Sequence, residues 1–197
     1  MKLLEWRLRR EGYRVINVSY ASTRRTIQEL ANVWLAGLLE RRLPDRAVKV
    51  HFVTHSLGGI IVRQYLHDHP AEARRVGRVV MLAPPNHGSE LADLLQRNFL
   101  FKLWCGPVRR QLGTDAASVP RQLGPASCEV GVIAGDRCLN PLAALFLPRP
   151  NDGRVSVRSA RLEGMADFLV THHTHTCIMW NNDVADAVAR FLETGHF

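Results

Sequence analysis

"VTHSLGGIIV", residues 53–62, is the stretch on which the reading of this 197-residue sequence turns. Val48 to Val53 before it is rich in β-branched residues, as strands are, and Ile60, Ile61, Gln64 and Tyr65 after it continue as a helix. Between them lies Thr54-His55-Ser56-Leu57-Gly58. A strand that runs into a serine flanked by small residues, and then into a helix, is the setting of a nucleophile elbow. Such a turn strains the serine backbone and lifts its hydroxyl above the carboxyl end of a sheet. It also aims a helix N-terminus, with its partial positive charge, at the same point. The pattern ordinarily opens on glycine, and here that position is Thr54. Ser56 is the candidate nucleophile, and the backbone N–H of Leu57 is a candidate oxyanion donor. His55 reads as a packing or pocket-wall residue.

Upstream, Leu3, Leu4 and Leu8 give a short amphipathic helix ended by Gly12, and Tyr13–Tyr20 alternates in the manner of a strand. Thr26-Ile27-Gln28-Glu29 is a capping-box pattern, and Ile27, Leu30, Ala31, Trp34 and Leu38 recur at helical spacing behind it. Downstream, Arg78–Ala83 and Glu129–Gly135 read as strands, with shorter ones at Val155–Val157 and Phe168–Val170. Val184, Ala187, Val188, Phe191 and Leu192 mark a C-terminal amphipathic helix capped by Asn181 or Asn182. Strands alternating with helices, and apolar enough to be covered on both faces, predict an α/β fold with a mainly parallel sheet. The hydrophobic content of 46% suits one domain over residues 1–197. Within it, residues 86–128 break the pattern. Phe99, Leu100, Phe101, Leu103 and Trp104 there suggest a lid or cap over the sheet edge.

The formal charge is +8, carried mostly by arginine in scattered pairs such as Arg9-Arg10 and Arg74-Arg75. Scattering argues for solvated helix faces and against a nucleic-acid stripe. Peripheral contact with anionic membranes is the weaker implication of a basic surface. No apolar run approaches the roughly 20 residues that span a bilayer, and the N-terminus lacks the apolar core of a secretory signal. A cytoplasmic protein is the expectation. The four cysteines, Cys105, Cys128, Cys138 and Cys177, show no CxxC spacing and are compatible with free thiols or one disulfide.

A serine hydroxyl needs a base oriented by a carboxylate. The later sequence offers two acids, Asp152 in an Asn-Asp-Gly turn and Asp136 after the VGVIAG strand, and three histidines, His172, His173 and His175. The histidines lack the companion ligand spacing of a zinc site, so neither a metal nor an organic cofactor is expected. GYRVINVSY (12–20), VTHSLGGI (53–60), LAPPNHGSELAD (82–93), VIAGDRCLNPL (132–142), NDGRVSV (151–157) and HTCIM (175–179) together resemble bacterial lipases and esterases of the α/β-hydrolase family. That resemblance implies a catalytic trio of Ser56, Asp152 and His175. It implies ester hydrolysis through an acyl-enzyme, with a small-molecule or lipid ester as substrate. An acyltransferase or thioesterase using the same trio, or an inactive scaffold, are the alternatives.

The resemblance also implies a strand and an oxyanion-supplying loop ahead of the first helix, with that strand lying between 13–20 and 48–53. The sequence begins at the helix that should follow them, and the expectation is an N-terminally incomplete chain. Without that strand, sheet edges are left unpaired or the two flanking strands are forced together.

Overall fold

The computed structural model describes residues 1–22, 24–96 and 106–197. Its sheet has four parallel strands in chain order: β1 (Val50–His55), β2 (Val76–Leu82), β3 (Glu129–Gly135) and β4 (Asp167–Thr171). Alternation along the strands sends side chains to two separate cores. Val79 and Met81 of β2, with Val130 and Val132 of β3, pack with the middle helices on one face. Val80, Leu82 and Ile133 pack with the terminal helices on the other. β2 and β3 are buried on both sides, which is why they read as nearly continuous apolar runs.

Four longer helices cover the sheet. α1 (Lys2–Arg10) buries Leu4 and Leu8 beside α4 (Asn182–Thr194), whose Val184, Val188 and Phe191 are wholly enclosed. Each such side chain is worth roughly 1.5–3 kcal/mol of burial. On the opposite face lie α2, over 27–42, and α3 (Leu57–Asp68). The capping box forms at the start of α2: Thr26 Oγ1 accepts from the Glu29 N–H, and Glu29 Oε2 accepts from the Thr26 N–H at 2.7 Å. Ile27, Leu30 and Ala31 are buried as the spacing predicts, whereas Trp34 and Leu38 stay partly open. Asn181 occupies the cap position of α4, but its side chain donates to the Cys177 carbonyl and caps no helical N–H.

Two strand assignments are corrected. Residues 13–20 join no sheet. Among the described residues, none of the backbone N–H groups from Arg14 to Tyr20 donates a hydrogen bond. The alternation is real, but a strand also needs a partner, and 13–20 stays apart from β1 with a cavity of about 1110 Å³ between them. At 155–157 there is one isolated bridge, Asn151 to Ser156, followed by a helical turn, Val157–Ala160. The Ser156 hydroxyl accepts from the Ser159 N–H and opens that turn in place of a strand.

Residues 86–96 and 106–128 contribute short helices such as Glu90–Gln96 and Val119–Gln122. The apolar cluster read as a lid, 99–104, lies outside the described residues. Cys128, Cys138 and Cys177 are free thiols, and burial pushes Cys128 up to about 11. Among the described residues no helix is long and apolar enough to cross a membrane.

Candidate active site

β1 ends at His55, and α3 begins at Leu57, leaving Ser56 alone in the turn with φ 53° and ψ −122°. A non-glycine residue in that region is strained, and such strain collects at functional sites. Two local features hold it there. The Ser56 N–H donates to the Leu82 carbonyl of β2 at 2.8 Å. Gly58 supplies the space that Thr54 removes, since a Cβ at Gly58 would lie 3.3 Å from the Thr54 Cβ. Threonine at the usual glycine position is therefore accommodated by packing its side chain against the second glycine. Among the described residues, the Leu57 N–H, the first of α3, donates no hydrogen bond.

The loops after β3 and β4 bring the other two residues to the same end of the sheet. Asn151-Asp152-Gly153 is a turn in which the Gly153 N–H donates to Asn151 Oδ1 and Gly153 takes φ 94°. It leaves Asp152 only 3% exposed, with Oδ1 accepting from the N–H groups of Arg154 and Val155 at 2.9 and 2.8 Å. The other carboxylate oxygen, Oδ2, lies 2.7 Å from His175 Nδ1. His175 Nε2 in turn lies 3.0 Å from Ser56 Oγ. One proton can therefore be passed from hydroxyl to imidazole, with the carboxylate fixing the Nδ1–H tautomer.

The remaining sequence candidates are drawn elsewhere. Asp136 pairs with His172 at 2.8 Å on the surface, and His173 pairs with Asp183 at 2.9 Å. Among the described residues, the Ser56 hydroxyl is hydrogen-bonded to His175 and to neither of these pairs. His87 accepts from the Arg121 guanidinium at 3.0 Å.

His55 does more than line a wall. Its Nε2 lies 2.8 Å from the His175 carbonyl, and its ring sits 4.8 Å from the His175 ring. Burial, and next the neighbouring His175, lower its pKa to about 4. The ring is thus neutral near pH 7 and donates Nε2–H to that carbonyl. With the His175 N–H donating to the Asp152 carbonyl at 2.9 Å, the backbone of residue 175 is held from both sides. The sequence carries no signal for this contact, because residues 55 and 175 meet only across the fold.

Arg63 was also missed. It lies on the buried face of α3 and donates to the carbonyls of Asn86, Pro120 and Gly124 and to Asn86 Oδ1. Burial lowers its pKa to about 10. It ties the helix behind Ser56 to the loop after β2. Its sequence signal was a charge at a helical position flanked by buried neighbours, Val62 and Gln64.

No family model matches the chain, and no curated protein matches it in sequence. Solved structures do. The mature lipase BlEst2 of Bacillus licheniformis aligns over 98% of this chain and 84% of its own, at 21% identity and a TM-score of 0.76. Phospholipase PlaB of Legionella pneumophila aligns over 99% of this chain at 18% identity and a TM-score of 0.70. A metagenomic carboxyl esterase aligns over 87% at 22% identity and a TM-score of 0.66. The chain spans only 56% and 57% of the latter two. A parallel sheet flanked by helices, superimposable on these lipases nearly end to end, makes this an α/β-hydrolase fold.

Proposed function

We propose that the chain hydrolyses carboxylic esters with Ser56 as nucleophile, His175 as base and Asp152 as the carboxylate that orients it. The observation carrying this reading is the continuous contact from Ser56 Oγ through His175 to Asp152, at 3.0 and 2.7 Å, on a strained serine turn. His175 Nε2 takes the hydroxyl proton as Oγ attacks the ester carbonyl carbon. The tetrahedral oxyanion accepts a hydrogen bond from the Leu57 N–H. As the acyl–oxygen bond breaks, the imidazolium returns the proton to the leaving alkoxide. Water, deprotonated by His175, then attacks the acyl-enzyme and releases the acid and free Ser56. Neighbours whose names include a lipase, a phospholipase and a carboxyl esterase support a lipid or other apolar ester as the substrate class.

A fluorophosphonate probe tests the reading directly, since it reacts only with an activated serine. The wild-type chain should label, and Ser56→Ala should lose labelling while keeping its melting temperature within a few degrees. A folded wild-type chain that fails to label overturns the proposal in favour of a non-catalytic scaffold.

A further inference from the structure

The turn that carries Asp152 also fixes the residue two places on. Asp152 Oδ1 accepts from the backbone N–H groups of Arg154 and Val155, so one carboxylate oxygen holds the path of residues 152–155. Along that path Asp152 and Val155 are buried, at 3% and 4% exposure, and Arg154 between them is exposed. Among the described residues, the Arg154 guanidinium takes part in no hydrogen bond and no ion pair.

A surface arginine without a partner is ordinarily a solvated charge and nothing more. Position separates this one from the rest. Arg154 borders the cavity beside β1 together with Ser56, His175 and Thr176. Its charge is felt inside the site: after burial and the neighbouring His175, it is a further cause of the lowered His55 pKa. The other cationic side chains on the cavity wall stand elsewhere. Arg14 follows Tyr13, whose ring packs on His51, and Arg42 and Lys49 precede β1, so all three lie toward the amino end of that strand. The acids on the wall are Glu5, bonded to Asn17 and Arg9, and Asp45, which also precedes β1. Asp152 is engaged with His175. Among the described side chains on this wall, Arg154 therefore supplies the one positive charge beside the serine turn, and no acid there neutralises it.

We infer that Arg154 is the anion-binding residue of the site, and that the favoured substrates are esters whose alcohol half carries an oxyanion group, a carboxylate or a phosphate. This rests on the ester-cleaving reading above. The side of the ester follows from the chemistry. His175 hands its proton to the departing alkoxide, so the alcohol half lies over His175, and Arg154 borders the cavity beside that residue. A guanidinium suits the task, because its planar fork pairs with two oxygens of a carboxylate or phosphate at once. The protein gives up little to make the contact. The Arg154 side chain exchanges water for the substrate's anion, with no internal ion pair to break, while the Asp152 turn keeps its backbone in place.

The test uses three chromogenic butanoates that share a nitrophenol leaving group and differ in its second substituent: a carboxylate, a phosphate or an uncharged carboxamide. Each rate is divided by that ester's own rate of hydrolysis by hydroxide. Wild type should then show kcat/KM at least about tenfold higher for a charged ester than for the carboxamide, expressed mainly in KM. The charged ester with the larger preference identifies the oxyanion. Arg154→Gln should remove the preference, Arg154→Lys should retain part of it, and Arg154→Glu should reverse it. Each ratio is taken within one protein, so a general loss of activity cancels. Equal values for charged and uncharged esters in wild type, or a preference that survives Arg154→Glu, overturns this inference and leaves ester cleavage by Ser56 standing. No turnover of any of the three esters, together with no fluorophosphonate labelling, overturns the underlying reading and this inference with it.

Discussion

At the residue scale, the chain order Ser56, Asp152, His175 was readable, because each sits in a local pattern: a serine between a strand and a glycine-bearing helix start, an Asn-Asp-Gly turn, a histidine before an apolar segment. What each is bonded to was not readable. His55 shows the gap most clearly. Beside Ser56 it looks like wall, yet its N–H holds the carbonyl of a residue 120 positions away. Removing that donor should let His175, the proposed base, drift while substrate binding survives. His55→Leu is expected to lower kcat by about tenfold or more with KM within about twofold, since small displacements of a catalytic group are costly. His55→Gln, whose amide nitrogen can occupy the Nε2 position, should recover most of the loss. Steady-state kinetics on a p-nitrophenyl ester separates the two parameters. Equal kcat in wild type and His55→Leu would reduce His55 to packing.

At the element scale, the sequence made β2, β3 and the amphipathic helices legible because their apolar periodicity coincides with burial. It misled at 13–20 and 155–157 because periodicity reports which faces alternate, not whether a neighbouring strand exists or whether Ser156 turns the chain into a helix first. The close fit between strand ends and loops was equally invisible. Gly135, the last residue of β3, has a backbone that needs no left-handed angle, so its constraint is space. A Cβ there would meet the His173 carbonyl oxygen at 2.4 Å and the Asp152 Cβ at 3.0 Å. Gly135→Ala must push apart the two loops that carry the proposed acid, Asp152, and the proposed base, His175. Overpacking of this kind costs about 1–3 kcal/mol, so a drop of several degrees in melting temperature is expected. Fluorophosphonate labelling should slow by more than tenfold even well below that melting point. A variant that melts lower but labels at the wild-type rate would show that the loops absorb the methyl group elsewhere.

At the scale of the whole molecule, net charge says little about the fold, but the placement of histidines sets how the molecule responds to acid. His55, His51 and His87 all have pKa values lowered chiefly by burial, His55 to about 4. Geometry adds to this for two of them: His51 Nδ1 accepts from the Arg78 N–H and His87 Nδ1 from Arg121, so protonation would break a bond at each. In the unfolded chain these rings titrate near 6.5. Below that pH the unfolded state binds protons that the folded state refuses, and stability falls as pH falls. For His55 alone the loss between 6.5 and about 4 is on the order of 3 kcal/mol. Carboxylates whose pKa values are lowered, such as Glu29 held by the Thr26 N–H and hydroxyl, contribute stability that is lost only once the pH drops below about 4.5. The window from about 6.5 to 4.5 therefore belongs to the histidines. Urea unfolding should show wild-type stability declining steeply across that window, and His55→Leu should flatten the decline, though it starts from a different stability at neutral pH. Parallel declines in the two proteins would mean that His55 takes up its proton on Nδ1 in the folded state, with the Nε2–H donor to residue 175 kept.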